Sequence, residues 1–266
     1  MQLKSRMKTP ITYYGGKQHM LQHILPLIPE HHIYTEAFFG GGAVFFGKEP
    51  VPVEIINDMN GEVINFYRVL QMDFWKLNQM IQATLHSREL YYDAQIVYNS
   101  PHLFDSIKRA WAFWILTNQG FSSKIGSWGY DKQGASMVKR LTTKKEDMLI
   151  AMRTRLEYVA IECNDALKVI ESRDDPQAFH YVDPPYIGSN MGHYSGYTRD
   201  NYSALLSLLS RVQGKFLQSS YWSDLLEEAV RVNNWHVQTF DKPVSVGTKK
   251  QKRKVEVLVA NYPLAA

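Results

Sequence analysis

Phe179-His180-Tyr181-Val182-Asp183-Pro184-Pro185-Tyr186 decides the reading of this chain. An apolar run of strand length ends in a carboxylate, a pair of rigid residues and an aromatic ring. In open α/β sheets, ligands bind at the carboxyl ends of the strands. Asp183 can accept from an N–H group. Pro184 and Pro185 fix the backbone, so carbonyls can point at the same amine. Tyr186 offers a ring face for stacking. The combination suits chemistry on a planar, aminated ring. A turn after an edge strand is the plainer alternative, because Asp and Pro are common there.

Strand-like segments surround this stretch. Residues 33–37, 53–57, 159–163, 215–219, 236–240 and 255–261 read as strands. Helices are expected from 43 and from 165, and over 201–212 and 224–232. Strands alternating with helices predict an α/β fold with a mostly parallel sheet covered on both faces. From 60 to 118 the spacing is helical: Ile64, Tyr67 and Leu70 recur, as do Ala110, Phe113 and Leu116. In 120–136, Gly120, Gly126, Gly129 and Gly134 alternate with Phe121, Trp128 and Tyr130, which predicts a hairpin or an extended loop. Helix is expected again over 144–158. The helical middle thus interrupts the sheet as an insertion.

A second signal is Glu36-Ala37-Phe38-Phe39-Gly40-Gly41-Gly42-Ala43-Val44-Phe45. It reads as a strand, a glycine turn and a helix start, and such a turn lets backbone approach a ligand closely. Glu36 at the strand end is placed to meet an ammonium group. About 20 residues on, Asp58 lies where an acidic residue can bind ribose hydroxyls. A helix cap is the other reading of Asn57-Asp58. The glycines lack the full dinucleotide spacing, so a nucleoside ligand is expected rather than a dinucleotide.

The chain has 266 residues, 45% of them hydrophobic and 21% charged, as in an ordinary globular protein. The net charge of +4 says less than its distribution. Between residues 121 and 155 there are eight basic residues against three acidic ones. Lys249-Lys250-Gln251-Lys252-Arg253-Lys254 holds five cations in six positions. Local patches of this kind fit phosphate contact. Cys163 is the single cysteine, so no intrachain disulfide can form, which fits a reducing compartment. No apolar run is long enough to span a membrane, and the first residues lack the apolar core of a signal peptide. A cytoplasmic protein is expected, with no membrane partner.

In order, Tyr13-Tyr14-Gly15-Gly16-Lys17, Glu36 to Phe45, Asn57-Asp58-Met59-Asn60, Asn164-Asp165 and Asp183-Pro184-Pro185-Tyr186 resemble the Dam-like DNA adenine-N6 methyltransferases. The ending Lys254-Val255-Glu256-Val257-Leu258-Val259-Ala260-Asn261-Tyr262 is similar to theirs too. The resemblance covers roughly residues 10–70 and 155–262. It implies a Rossmann-like S-adenosylmethionine-dependent methyltransferase sheet. The catalytic domain would occupy 1–61 and 159–266, with a mainly helical target-recognition insertion over 62–158. It implies methyl transfer from S-adenosylmethionine to a flipped-out adenine in double-stranded DNA, without a metal. A cognate restriction endonuclease would be a further partner, and the nucleoid the place of action.

Residue by residue, the resemblance implies that Tyr13, Gly15 and Lys17 contact the cofactor, although the family usually has tryptophan at the first of these. Glu36, Phe38, Gly40 and Gly42 would wrap its methionine end. Asp58 would hold the ribose hydroxyls and Asp165 would face the adenine amine. Asp183, Pro184, Pro185 and Tyr186 would hold the target adenine, with Asp183 also beside the cofactor. The recognition hairpin of the family is rich in asparagine and arginine, and residues 118–130 depart from that pattern.

Within the insertion, Lys124, Trp128, Tyr130 and Lys132 are candidates for base contact or wedging. Packing on the insertion is an equal alternative for the two aromatic residues. Lys139, Arg140, Lys144 and Lys145 are candidate phosphate contacts. Trp111, Phe113 and Trp114 are expected in the helical core. His193 and Tyr194, among glycines, are candidates for a lid. His19, His23, His31 and His32 have no acidic or cysteine partners completing a zinc set. The rival readings are an RNA adenine or cytosine-N4 methyltransferase, a catalytically inactive DNA-binding relative, and a nucleotide-dependent oxidoreductase. Cytosine enzymes usually resemble Ser-Pro-Pro-Tyr where this chain has Asp183.

Overall fold

The computed structural model describes residues 7–121, 125–186, 196–242 and 254–264. A short helix α1 (Leu21–Ile24) leads into β1 (Ile33–Glu36), α2 (Ala43–Gly47) and β2 (Val53–Asn57). Helices α3 (Gly61–Met72), α4 (Phe74–Ala83), α5 (Arg88–Asn99), α6 (Ser106–Gln119), α7 (Ser136–Glu146) and α8 (Ile150–Leu156) form the insertion. Then come β3 (Val159–Glu162), α9 (Ala166–Ser172), β4 (Ala178–Val182), α10 (Arg199–Leu209) and β5 (Lys215–Tyr221). The chain continues with α11 (Asp224–Asn233), β6 (His236–Lys242) and β7 (Lys254–Ala260).

The strands form one seven-stranded sheet in the order β3-β2-β1-β4-β5-β7-β6. From β3 to β5 every pairing is parallel, and β7 lies antiparallel between β5 and β6. Strand β4 is buried at every position, as a parallel strand covered on both faces requires. Its side chains alternate between two cores. Phe179 and Tyr181 join Leu217, Leu258 and the helices of the insertion. Val182 joins Phe216, Val257 and Val259 beneath α9, α10 and α11. His180, also buried, is held at both ring nitrogens, by Thr35 Oγ1 at 2.7 Å and Asp174 Oδ1 at 3.4 Å. Burial lowers its pKa and keeps the ring neutral.

The insertion shares the first core with the sheet. Trp111, Phe113 and Trp114 are buried there, as their helical spacing predicts. Trp114 Nε1 donates to the Pro10 carbonyl at 3.1 Å, and Thr12 Oγ1 donates to Asn118 Oδ1 at 2.9 Å. These bonds pin the segment before Lys17 against α6.

One expectation changes in detail, and the hairpin or extended loop expected after Gly120 takes its simpler form. Residues 144–158 are not one helix. Helix α7 starts earlier, at Ser136, where the Asp131 carboxylate accepts from Met137 N at 2.6 Å and from the Ser136 hydroxyl at 2.8 Å. An extended residue, Leu149, then separates α7 from α8. The stretch after Gly120 is a loop, closed among the described residues by a single bridge between Gly120 and Trp128.

Helix α8 is clamped to β2 by charge. The buried Glu54 carboxylate meets Lys48 and Arg155, and Arg155 also donates to the Phe45 carbonyl at 3.1 Å. Burial lowers the Lys48 pKa against the pull of Glu54. Removing the carboxylate strands two buried cations. Glu54→Ala is therefore expected to lose about 3–5 kcal/mol of stability, read by urea denaturation. A loss below about 1 kcal/mol, the scale of exposed pairs, contradicts the clamp.

Candidate active site

Parallel pairing sets Glu36 opposite Tyr181, so the carboxyl ends of β1 and β4 open on the same side. Glu36 ends β1, and Asp183 follows β4 directly. The turn after β1 needs glycine at Gly42. Its φ is +66°, and a Cβ there would fall 2.4 Å from the Phe39 ring. A second turn, closed by Gly16 N donating to the Tyr13 carbonyl at 3.0 Å, carries Lys17 back over the end of β4.

Together these segments enclose a cavity of about 300 Å³, at the lower end of the usual range for small-molecule sites. Tyr13, Gly15 and Lys17 form one wall. Glu36, Phe38, Gly40 and Gly42 form a second, and Asp183, Pro184, Pro185 and Tyr186 a third. Residues from three separate stretches of sequence thus meet in one place.

The charges are arranged around Asp183. Lys17 Nζ lies 2.7 Å from Asp183 Oδ2 and 3.6 Å from Glu256 Oε1, and donates to the Gly15 carbonyl at 3.0 Å. The Tyr186 hydroxyl lies 3.0 Å from Asp183 Oδ1 and 3.2 Å from Glu256 Oε1. Burial raises the Asp183 pKa, Lys17 pulls it back, and Glu256 pushes it up. Burial also pushes the Glu36 carboxyl up to about 8, although the Tyr34 hydroxyl donates to it at 2.6 Å and Phe45 N at 3.1 Å. Such a carboxyl is poised to ionise when a cation arrives. The pocket joins an acidic wall beside glycine backbone to a carboxylate backed by an aromatic ring. It can hold a cationic, polar group at one end and a planar amine at the other.

Two candidate residues stand away from the cavity wall. Asp58 is buried behind the glycine turn, where it accepts from Gly40 N at 2.8 Å and Asn60 N at 2.9 Å. The cap of α3 is Asn60, not Asp58. Asp165 caps α9, accepting from Leu167 N at 2.8 Å and Lys168 N at 3.2 Å.

The basic candidates divide differently from the sequence expectation. Lys144 is not an exposed phosphate contact. It reaches the cavity wall and donates to the Thr9 carbonyl at 2.7 Å, and burial pushes its pKa down to about 8. Arg140 donates to the Asn118 carbonyl at 3.2 Å, and Lys145 to the Gln82 carbonyl at 3.0 Å. Lys132 and Lys139 are exposed. Trp128 stacks on Tyr130 with ring centroids 5.5 Å apart, and Arg88 lies over Trp128 at 5.0 Å. Lys124, His193 and Tyr194 lie outside the described residues.

Sequence reasoning assigned no role to Glu256 or Arg88, and gave Lys144 a phosphate contact rather than a place at the cavity. For Glu256 a signal existed: one acid inside the apolar run Val255-Glu256-Val257-Leu258-Val259. A charge is rarely buried in a strand without a partner. Nothing local distinguishes Lys144 from Lys145.

Comparison with known proteins agrees with this geometry. The family described as "D12 class N6 adenine-specific DNA methyltransferase" matches residues 13–240. The chain is 25% identical to a Type II methyltransferase, M1.LlaDCHI, of Lactococcus lactis subsp. cremoris, over 93% of each chain. It is 27% identical to a DNA N-6-adenine-methyltransferase of Escherichia phage P1, over 91% of this chain and 33% of the phage protein. It is 25% identical to a DNA adenine methylase of Salmonella typhi, over 95% of this chain and 94% of the other.

The setting of Asp58 makes stability depend on pH. Burial lifts its pKa from 3.8 to about 6, so the folded state holds the proton more tightly than the unfolded chain does. This contribution is full below the unfolded pKa and is lost as the pH rises through about 6. Asp58→Asn removes it. Subtracting the stability of the Asn variant from that of the wild type should give a difference that shrinks between pH 4 and pH 6, at about 1.4 kcal/mol per unit at most. Urea denaturation across that range reads it, and a difference that grows contradicts the assignment.

Proposed function

The chain belongs to the D12 class N6 adenine-specific DNA methyltransferases, and from that premise we propose how its residues divide the work. The enzyme methylates the exocyclic N6 amine of adenine in DNA, with a donor of the S-adenosylmethionine type. The finer reading is transfer at a specific site, to an adenine turned out of the duplex. The observation that carries it is the meeting of Glu36, the glycine turn and Asp183 to Tyr186 around one cavity.

The residues fit the donor. Gly41 and Gly42 leave a cradle that side chains would fill: a Cβ at Gly41 would lie 3.2 Å from Tyr13 Cβ. Glu36 would take the ammonium of the methionine end, and Tyr13, Gly15 and Phe38 would close around the rest. Asp58 acts here by holding the Gly40 turn in shape. Bound S-adenosylmethionine supplies a methyl group already activated on a sulfonium.

The work of the protein is then to prepare the amine. The lone pair of an aromatic amine is delocalised into its ring. Acceptors at Asp183 and the Pro184 carbonyl would take its hydrogens and favour a pyramidal nitrogen. As nitrogen gains the methyl, it must lose a proton, and Asp183 is the carboxylate in place to draw it away. Fixing the approach of the reacting groups is worth about 7–11 kcal/mol in favourable cases. The base must first leave the stack. Tyr186 would return part of that cost by stacking, at about 1–3 kcal/mol per base.

The insertion, residues 62–158, is the proposed reader of duplex DNA. The exposed Lys132 and Lys139 suit phosphate contact, and the Trp128–Tyr130 stack with Arg88 suits a base or groove contact. No helix among the described residues is long and apolar enough to cross a membrane, and action at the nucleoid in the cytoplasm accords with a DNA substrate. Sequencing DNA from cells expressing the protein, with detection of modified bases, tests the reading. N6-methyladenine at one sequence context is expected, and its absence overturns it.

Asp183→Ala is expected to lower methyl transfer at least ~100-fold, the lower scale for a positioned proton acceptor, with an intact fold by circular dichroism. Near-normal turnover would remove Asp183 from the chemistry. Glu36 gives a second expectation. Held protonated below about pH 8, it must ionise to meet an ammonium. Binding of S-adenosylhomocysteine at pH 7 should therefore release a proton, and affinity should rise as the pH climbs towards 8. Calorimetry in buffers of different ionisation heat measures the release, and Glu36→Gln should abolish it.

A further inference from the structure

Glu256 lies at the middle of β7, between Tyr221 on β5 and Phe240 on β6. Its side chain is 1% exposed. A bare carboxylate in that position is costly unless its partners are charged or donate hydrogen bonds. Its partners here are residues of the active site: the Lys17 ammonium at 3.6 Å and the Tyr186 hydroxyl at 3.2 Å. Both also touch Asp183, Lys17 at Oδ2 and Tyr186 at Oδ1. Among the described residues, the Lys17 ammonium and the Tyr186 hydroxyl that hold Asp183 are both shared with Glu256.

This sharing matters for the adenine. Lys17 sits 2.7 Å from Asp183 Oδ2, in a direction from which the carboxylate would otherwise accept an amine. An arriving N6 group competes with that ammonium. Lys17 can yield only if another carboxylate takes its charge within a short movement, and Glu256 is the acid at hand. The count of charge agrees. Among the described residues in contact here, the Asp183 and Glu256 carboxylates outnumber the Lys17 ammonium, facing a nitrogen that becomes positive as it gains a methyl. Without Glu256, Lys17 would neutralise Asp183 alone.

We propose that Glu256 is a positioning residue for methyl transfer, receiving Lys17 and anchoring the Tyr186 hydroxyl so that Asp183 is released to the target amine. The inference rests on the reading of Asp183 given above. It concerns β7, a strand outside the matched residues 13–240.

The acid limb of the pH–rate profile separates this role from mere support of the fold. Transfer needs Asp183 ionised, so activity falls as it protonates. Asp183 faces Lys17, Tyr186 and Glu256, and also Glu36 on β1, Tyr181 on β4 and Tyr221 on β5. Of these, Glu256 is a like charge that raises the Asp183 pKa and shares the cation that lowers it. Removing its charge moves both influences the same way, towards a lower pKa.

The test is steady-state methylation of duplex DNA by full-length wild type, Glu256→Gln, Glu256→Asp and Asp183→Ala. For Glu256→Gln, kcat should fall at least ~10-fold, short of the ~100-fold that misplacing a reacting group can cost. KM for S-adenosylmethionine should stay within about twofold, because the donor end of the cavity is untouched, and the acid limb should move to lower pH. Glu256→Asp keeps the charge but draws it back from Lys17 and Tyr186. It should keep the wild-type acid limb and recover part of the lost rate. Wild-type kcat in Glu256→Gln, a loss with an unmoved acid limb, or no recovery in Glu256→Asp would each overturn the proposal. Should Glu256→Gln not fold, Glu256→Asp decides, since a folded protein with wild-type kcat overturns it as well. Failure of the underlying reading is seen separately, as wild type without transfer or Asp183→Ala with full transfer.

Discussion

The parallel pairing of β1 with β4 is the constraint on which the site depends. Because both strands run the same way, their carboxyl ends emerge at one edge, and Glu36 and Asp183 arrive there from positions far apart in sequence. An antiparallel pairing would have sent one of them to the opposite edge. Everything else at the site is an adjustment to two acids brought together in a poorly solvated place. The turn at Tyr13 to Gly16 delivers one ammonium to Asp183, while the Tyr34 hydroxyl and Phe45 N–H serve Glu36. The two acids consequently differ in character. Glu36 holds its proton to about pH 8, whereas Asp183 has a cation at contact distance.

Much of this was legible in the sequence because it is local. The apolar run ending at Asp183 fixes a buried strand and the group at its mouth. Three glycines after Glu36 fix a turn, and at Gly42 the turn needs a conformation and a closeness that other residues do not allow. The helical spacing around Ala110, Phe113 and Leu116 gave the buried face of α6. What was not legible depends on contacts between distant segments. Lys144 and Lys145 are neighbours with the same side chain, yet one turns to Thr9 at the cavity and the other to Gln82. No property of the residues themselves predicts that division. The start of α7 was hidden because its N-terminal donors are satisfied by Asp131, outside the usual capping position. Glu256 left a trace, an acid in an apolar strand, but its partner Lys17 lies at the other end of the chain.

The segment from Thr9 to Lys17 joins the helical insertion to the site. Pro10 and Thr12 are bonded to α6, and Thr9 to Lys144 on α7, while Lys17 is bonded to Asp183. A short stretch of backbone thus touches the helical insertion at one end and the Asp183 carboxylate at the other. A displacement of α6 or α7 would reach the Asp183 side chain through hydrogen bonds at each end of one short stretch of backbone.

Among the described residues, the insertion shares its hydrophobic core with the sheet. Phe113, Trp114 and Leu141 pack in the same cluster as Tyr34 and Leu258 of the sheet. The consequence concerns how such an enzyme can change its target over evolutionary time. Whole insertions cannot be traded between relatives as cassettes, because each would bring half of a core that the new host has not been shaped to complete. The exchangeable unit is smaller. The loop between α6 and α7, with exposed Tyr130 and Lys132, rests on that core without forming it. On the proposed role of this loop in reading DNA, sequence preference can drift there while the helices beneath it stay tied to the sheet.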